Sequence, residues 1–299
     1  MPIIVPTGRF RLAESIDFGF GQRSARPGAE VLRTAFVVDG LERQAGVVVS
    51  QDADGVVHVE SSGEADPAVV TAQVARVLSL DVDATGWDAL GGRDPLLGRL
   101  QAARPGLRPP LFHSAYEAAA WSVLSARRPR AQMTALRDRL AAAHGATFTL
   151  AGQEWHAFPT PAQLLRVDSF PGLPDVKIRR LHGVARLALE GGLDTVALRA
   201  LDPDEAAARV QALEGIGPLY ASLVVVRALG HTDVLPREEP LVRAVLAELL
   251  ERAEVTPDEL ARLAEPWRPW RTWAAVFVRA AGPRLLPPTS DVARRSLAR

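Results

Sequence analysis

Two patterns of apolar and polar positions divide the chain. Up to about residue 80 the apolar residues fall in short alternating or β-branched runs, at residues 10–18, 31–38, 46–50 and 56–60. Asp39-Gly40 and Asp52-Ala53-Asp54-Gly55 separate them. Period-two alternation broken by Asp-Gly turns predicts strands joined by tight turns, and a helix over residues 67–78 would cover one sheet face. From about residue 83 the pattern changes to Ala, Leu and Arg recurring at helical spacing, interrupted by Pro and Gly. The chain therefore reads as α+β: a sheet-plus-helix domain over residues 1–82 and a helical domain over 83–299. No tandem repeat is visible, and the tail beyond Pro287 is predicted to fray.

One helical corner carries more information than the rest. Asp202-Pro203-Asp204-Glu205 is a helix start, with an N-cap acid, Pro at the first helical position and acids in the first turn. Leu201, Ala208 and Leu213 supply part of its apolar face, up to Glu214-Gly215-Ile216-Gly217. Gly215 and Gly217 permit a sharp reversal and leave the peptide N–H groups uncovered. Pro218 then opens a second helix over residues 219–229, whose positive dipole end is a docking point for phosphate. By itself such a Gly-x-Gly turn is equally an ordinary corner between two helices.

Composition narrows the chemistry. With 299 residues, 47% of them hydrophobic, the chain can bury two or three cores. The absence of Cys excludes disulfides, thiolate catalysis and cysteine-bound iron-sulfur clusters. The six histidines, His58, His113, His144, His156, His182 and His231, lack metal-ligand spacing. No phosphate-binding Walker loop occurs, and Gly19-Phe20-Gly21 is an isolated glycine pair. The apolar run at residues 220–226 is too short to span a membrane, and no targeting signal is seen, so the expected location is the cytoplasm. Lys+Arg and Asp+Glu both number 35, which speaks against a wholly basic nucleic-acid binder. Yet Lys177 is the only lysine, so the cations are almost all arginine, the better bidentate phosphate ligand. Arg127-Arg128-Pro129-Arg130, Arg179-Arg180 and Arg268 with Arg271 are either a basic footprint or solvated helix faces.

Three further segments join the hairpin in a resemblance. They are Val77-Leu78-Ser79-Leu80-Asp81 with Arg93-Asp94-Pro95-Leu96-Leu97 and Pro105-Gly106-Leu107-Arg108-Pro109; Trp121-Ser122-Val123-Leu124-Ser125 with Phe158-Pro159-Thr160-Pro161; and Pro266-Trp267-Arg268-Pro269-Trp270-Arg271-Thr272-Trp273-Ala274. In order and spacing the chain resembles the helix-hairpin-helix DNA glycosylases, in particular the 3-methyladenine type II class. The resemblance implies a small antiparallel sheet domain, like that of TATA-binding protein, packed on an all-α helix-hairpin-helix domain. A DNA cleft is expected between two helical parts, with double-stranded DNA bearing a damaged base as partner. A monomer without cofactor is expected, acting in base excision repair.

Residue by residue, the resemblance points to the hairpin at 213–221 and an acidic loop at 233–243. The family places an Asp four residues before a basic residue at the next helix start. Counting back from Arg243 gives Glu239, with Glu238 before it. A carboxylate there stabilises an oxocarbenium-like sugar. Glu is longer than Asp by about 1.5 Å, and a shift of about 1 Å in a catalytic group can cost on the order of a hundredfold in rate. With Pro240 following, Glu239 reads either as catalyst or as partner of a helix start. Asp233 is a second carboxylate, at a position that shapes the loop in the family. Bifunctional relatives have a lysine where Leu219 stands, so activity is expected to be monofunctional. Alkylation-repair relatives have tryptophans where Leu219 and Arg279 stand, so two stacking surfaces for a flipped base are missing. Tyr220, Trp121, Trp270 and Trp273 remain as pocket aromatics or as core. Gly215, Gly217 and Leu219 are the expected backbone phosphate contacts. Arg127 occupies the wedge position, as gap filler or as phosphate contact. The carbonyls of Leu213 and Ile216 are the one site where a monovalent cation is considered. The competing readings are a lesion binder that has lost turnover and a regulator whose sheet domain binds a partner, for which an exposed apolar patch on residues 1–80 would speak.

Overall fold

The structure, a computed structural model, describes residues 2–19, 28–287 and 289–297. Phe20 and Gly21 of the isolated glycine pair lie outside the described residues. Strands β1 (Ile3–Ile4), β2 (Leu32–Val37), β3 (Gln44–Gln51) and β4 (Val57–Ser62) form an antiparallel sheet in the order β1-β4-β3-β2. Val47, Val49, Val57 and Val59 point to one face, where α2 (Pro67–Val77) adds Val70 and Val74. Residues 10–18, expected as strand, instead contain helix α1 (Leu12–Phe18). Leu12, Ser15 and Ile16 are the buried ones, a helical i, i+3, i+4 set. Gln51 Oε1 accepts from the Leu12 N–H at 2.9 Å, holding the helix start against β3. Ile3 and Val5 remain exposed beside an open apolar groove between β1 and α2, the patch that the partner-binding reading would use.

The opposite sheet face is covered by a hairpin that the helical pattern concealed, β5 (Thr147–Leu150) and β6 (Gln153–His156), lying on β3 and β2. The region from residue 83 onward is therefore not purely helical. Ala151 and Gly152 both have positive φ, the two-residue turn that matches strand twist. At Gly46 a Cβ would stand 2.7 Å from the Phe148 ring, so the close approach of β5 requires glycine there.

The helices make two further cores. The middle core gathers α5 (Ala115–Ser125), α6 (Arg130–His144), α8 (Asp175–Leu189), α10 (Pro203–Gln211) and α11 (Pro218–Val224), with the short α7 (Pro161–Leu164) and α9 (Thr195–Arg199) at its edge. The other joins α3 (Thr85–Gly91) and α4 (Pro95–Ala103) to α12 (Pro240–Leu249), α13 (Pro257–Ala264) and α14 (Arg271–Leu285) around Trp87, Trp270, Trp273 and Phe277. The chain thus begins this module, leaves to build the middle one, and returns. The tail does not fray up to residue 297: α15 (Asp291–Leu297) starts at Ser290, whose hydroxyl accepts from Ala293 N–H and donates to Glu248.

Six helices begin with a side chain that caps a backbone N–H, followed by Pro: Asp66, Asp94, Thr160, Asp202, Glu239 and Thr256. Asp and Thr are preferred caps, whereas Glu is not, which singles out the start of α12. Among the described residues no helix is long and apolar enough to cross a membrane.

Candidate active site

The hairpin between α10 and α11 is set by three residues. Gly215 has φ +89°, and a Cβ on it would lie 2.6 Å from Arg180 Cδ; Arg180 in turn pairs with Glu214 at 3.3 Å. Ile216 is buried and pins the turn to the middle core. Gly217 is the N-cap of α11 and faces open space, since a Cβ there meets nothing within 4 Å. Leu219 is 62% exposed on the first turn of α11, and Tyr220 is half-buried against the middle core. The Leu213 carbonyl accepts the Ile216 N–H at 3.1 Å within the turn. The uniform helix expected over 219–229 is α11 followed by a π-helical turn, Val225–Leu229, ended by Gly230 in the left-handed region. Ala208 is exposed; Ala206 and Val210 are the buried residues of α10.

Glu239 caps α12. Its Oε2 accepts from the Val242 N–H at 2.7 Å, and its Oε1 accepts from Arg279 Nη1 at 3.0 Å. Of the two readings of Glu239 from the sequence, the structure shows the partner of a helix start. The extra methylene lets it serve α12 and Arg279 together. Arg279 reaches it because α14 lies close to α12 at Gly282, three residues on along the same face, where a Cβ would sit 2.3 Å from Val245 Cγ1. The pair is partly solvated, with side-chain exposures of 37% and 24%. Such a pair contributes only about 0–1 kcal/mol, so Arg279 leaves the carboxylate at little cost. Glu238 is exposed in the preceding turn.

Asp233 is committed elsewhere. Its carboxylate accepts from Arg271 Nε at 2.7 Å, Arg271 N at 3.3 Å and Arg268 Nη1 at 2.7 Å, while Thr272 Oγ1 bonds both the N–H and the carbonyl of Val234. This clamp fixes the acidic loop on the first turn of α14. It gives Arg268 and Arg271 an internal role in holding the loop.

Two further arginines stand near Arg279. Arg227, from the π-helical turn, donates to the Pro110 carbonyl at 3.0 Å and lies 5.4 Å from the Phe18 ring centroid. Burial, with the charges of Arg279 and Arg130 added, pulls its pKa down to about 9. Arg130, the first residue of α6, is lowered by desolvation and then by Arg279. Arg130 and Arg227 come from the middle module; Arg279 and Glu239 come from the other. Spacing along the sequence gave no signal for this convergence.

Arg127, the residue expected as wedge, is exposed with φ +58° in the α5–α6 loop, an uncommon conformation for a side-chain-bearing residue. The loop is held from beneath by Lys177, whose ammonium donates to the carbonyls of Leu124 and, at 3.3 Å, Ala126. Burial, then Arg128 and Arg180, lower the Lys177 pKa. Lys177→Met is expected to cost about 1–2 kcal/mol through the orphaned carbonyls and to weaken capture of lesion duplexes more than of undamaged ones; thermal unfolding and fluorescence anisotropy check the two effects.

The expected pocket aromatics divide. Trp273 (2% exposed) packs against the rings of Trp87 and Trp270 with Arg108 at 6.0 Å, and Trp121 (6% exposed) lies in the middle core, so both rings are taken up by packing. Trp270 shares the core of Trp273; Tyr220 alone of the four is half-open. Among the described residues, no cluster of His, Cys, Asp or Glu is placed to hold a metal ion.

No protein-family model matches the chain. Over 205 residues it is 25% identical to the DNA-3-methyladenine glycosylase of Bacillus subtilis (strain 168), covering 67% of each chain. Over 186 residues it is 31% identical to DNA-3-methyladenine glycosylase 2 of Escherichia coli (strain K12), covering 61% of this chain and 63% of that one. Its fold matches the 3-methyladenine DNA-glycosylase of Archaeoglobus fulgidus with a TM-score of 0.77 at 19% identity, over 93% of this chain and 97% of that one. With its sheet domain, hairpin and acidic loop in that order, the chain has the fold of the helix-hairpin-helix DNA glycosylases and is similar in sequence to the DNA-3-methyladenine glycosylases among them.

Proposed function

We propose that this chain is a monofunctional DNA glycosylase of base excision repair, acting as a cytoplasmic monomer on duplex DNA. The observation that carries the reading is a carboxylate, Glu239, fixed at the start of α12 on the glycosylase fold. The N–H groups of Gly215, Gly217 and Leu219 take a backbone phosphate, favoured by the positive end of α11. The exposed Leu219 lies against the strand, and Arg127 fills the gap left by the extruded nucleotide. The bond from C1′ to the base nitrogen breaks with its electron pair going to the base. Glu239 stabilises the developing sugar cation, and water supplies the new oxygen bond at C1′ and loses a proton.

Water is the nucleophile because the only lysine, Lys177, is tied to two backbone carbonyls. Single-turnover incubation with duplexes bearing 3-methyladenine, 7-methylguanine, hypoxanthine, ethenoadenine or uracil tests the reading. Base release is expected from at least one duplex, with the strand intact until alkali is added. Strand scission without alkali would overturn the monofunctional assignment. Binding without release from any duplex would turn the reading into that of a lesion-binding protein.

A further inference from the structure

Glu239 has both carboxylate oxygens engaged. Oε2 accepts from the Val242 N–H at 2.7 Å, and Oε1 accepts from Arg279 Nη1 at 3.0 Å. The two contacts differ in kind. The Val242 N–H is fixed in the first turn of α12, whereas the guanidinium ends a long side chain that is 37% exposed, against 24% for Glu239. Among the described residues, Glu239 is the one acceptor that the Arg279 guanidinium bonds, so its other N–H groups remain available to an incoming group. A carboxylate stabilises a sugar cation through its negative charge, and a guanidinium 3.0 Å away cancels much of that field. In the free protein the carboxylate is therefore masked.

We infer that Arg279 holds Glu239 masked until a phosphate of the extruded nucleotide draws the guanidinium away, so that the carboxylate faces a sugar only when that phosphate is in place. The inference rests on the glycosylase reading, with Glu239 as its carboxylate, and adds how that group is held back until DNA arrives. A sugar whose C1′ lies against Glu239 brings its two flanking phosphates within one nucleotide of Arg279, and phosphates are the anions of a duplex. Arg binds phosphate through paired N–H groups, a closer match than the single N–H that it gives Glu239. The partly solvated pair with Glu239 contributes little and is exchanged readily. Arg279 is then a positioning residue, touching the phosphate and acting on the chemistry through Glu239. A duplex bound without extrusion leaves the carboxylate masked.

The test uses the full chain and a duplex in which tetrahydrofuran stands for the damaged nucleotide, with the linkage on its 5′ or its 3′ side made an uncharged methylphosphonate. Tetrahydrofuran has no glycosidic bond, so affinity is read apart from turnover. Wild type is expected to lose about tenfold in affinity when one of the two linkages is neutral, the order of one charge-assisted contact. Arg279→Gln is expected to bind the fully charged duplex more weakly, with a salt slope shallower by about one, and to be indifferent to the same methylphosphonate. Glu239→Gln, which removes the competing charge, is expected to tighten binding several-fold with Arg279 present and not in an Arg279→Gln background. In single-turnover release from duplexes bearing hypoxanthine or 7-methylguanine, the Arg279→Gln defect is expected in the protein concentration that gives half-maximal release. A methylphosphonate penalty equal in both proteins, or absent at both linkages, would overturn the inference. So would a fall confined to the maximal rate with affinity unchanged, since Arg279 would then support the carboxylate in place of masking it. Absence of release from every duplex counts against the glycosylase reading, while the affinities still decide whether Arg279 exchanges Glu239 for a phosphate.

Discussion

Glu239→Gln is expected to lower single-turnover base release by about 10²–10³-fold, the range seen when one preorganised charge-stabilising group is removed, while leaving the fold nearly unchanged. The amide oxygen of Gln can still accept from Val242 N–H, so the cap survives, and loss of the partly solvated pair with Arg279 costs no more than about 1 kcal/mol. A rate effect without a stability effect is what separates a catalyst from a helix cap. Glu239→Ala removes both functions and should cost about 1 kcal/mol through the lost cap. Glu239→Asp substitutes a better cap for a poorer one and withdraws the carboxylate from Arg279. It is expected to keep release within about tenfold of wild type, consistent with a group displaced by roughly one bond length. Rates measured beside chemical unfolding curves for the three variants decide the matter. Equal rates in wild type and Glu239→Gln would remove Glu239 from the chemistry.

The second large effect is one of stability. Arg108→Met should lower the free energy of unfolding by about 3–5 kcal/mol, because it leaves four buried or part-buried backbone carbonyls without their donor, at about 1–3 kcal/mol for each that stays unsatisfied. The Arg108 side chain is fully buried, and its guanidinium donates to the carbonyls of Arg9 (3.2 Å), Ser79 (3.0 Å), Val82 (3.2 Å) and Thr7 while lying about 6 Å from the Phe10 and Trp273 ring centroids. Burial lowers its pKa to about 10, so it stays charged at neutral pH. Methionine fills the channel but donates nothing, which orphans carbonyls of two separate segments, residues 7–9 and 79–82. Urea unfolding with an unchanged slope and a lower midpoint is the expected result; a midpoint within error of wild type would contradict it.

What the sequence made legible was local. The hairpin could be read because Gly215, Gly217 and Pro218 impose their own backbone geometry, and the start of α10 because Asp202 and Pro203 adjoin in the chain. Strands β2 to β4 follow from alternation. Residues 10–18 misled because an amphipathic helix of seven residues also presents apolar positions to a two-residue count. The β5–β6 hairpin was hidden among helices, since four residues a side carry too little pattern to outweigh their surroundings. The site was legible in its acidic loop and silent about its partners. Arg279 lies 40 positions from Glu239, and Lys177 lies 53 from Leu124. Burial decided the aromatics: Trp121 and Trp273 fit a pocket or a core equally well until packing shows which.

The sheet domain touches both helical modules at once. Gln44 and Val37 bond to Phe158 and Glu117 of the middle module, while Glu14 and Asp17 of α1 hold Arg104 and Arg284 of the other. Bending a duplex stores about 1–6 kcal/mol of elastic work, and that work pushes back on whatever holds the two arms of DNA. A bracket joining the two helical modules would carry the reaction torque of such a bend away from the two chain crossings near residues 110 and 230. Loosening α1, for example with Asp17→Asn, would then make the protein mechanically compliant: it would still grip a straight duplex but yield when asked to kink one.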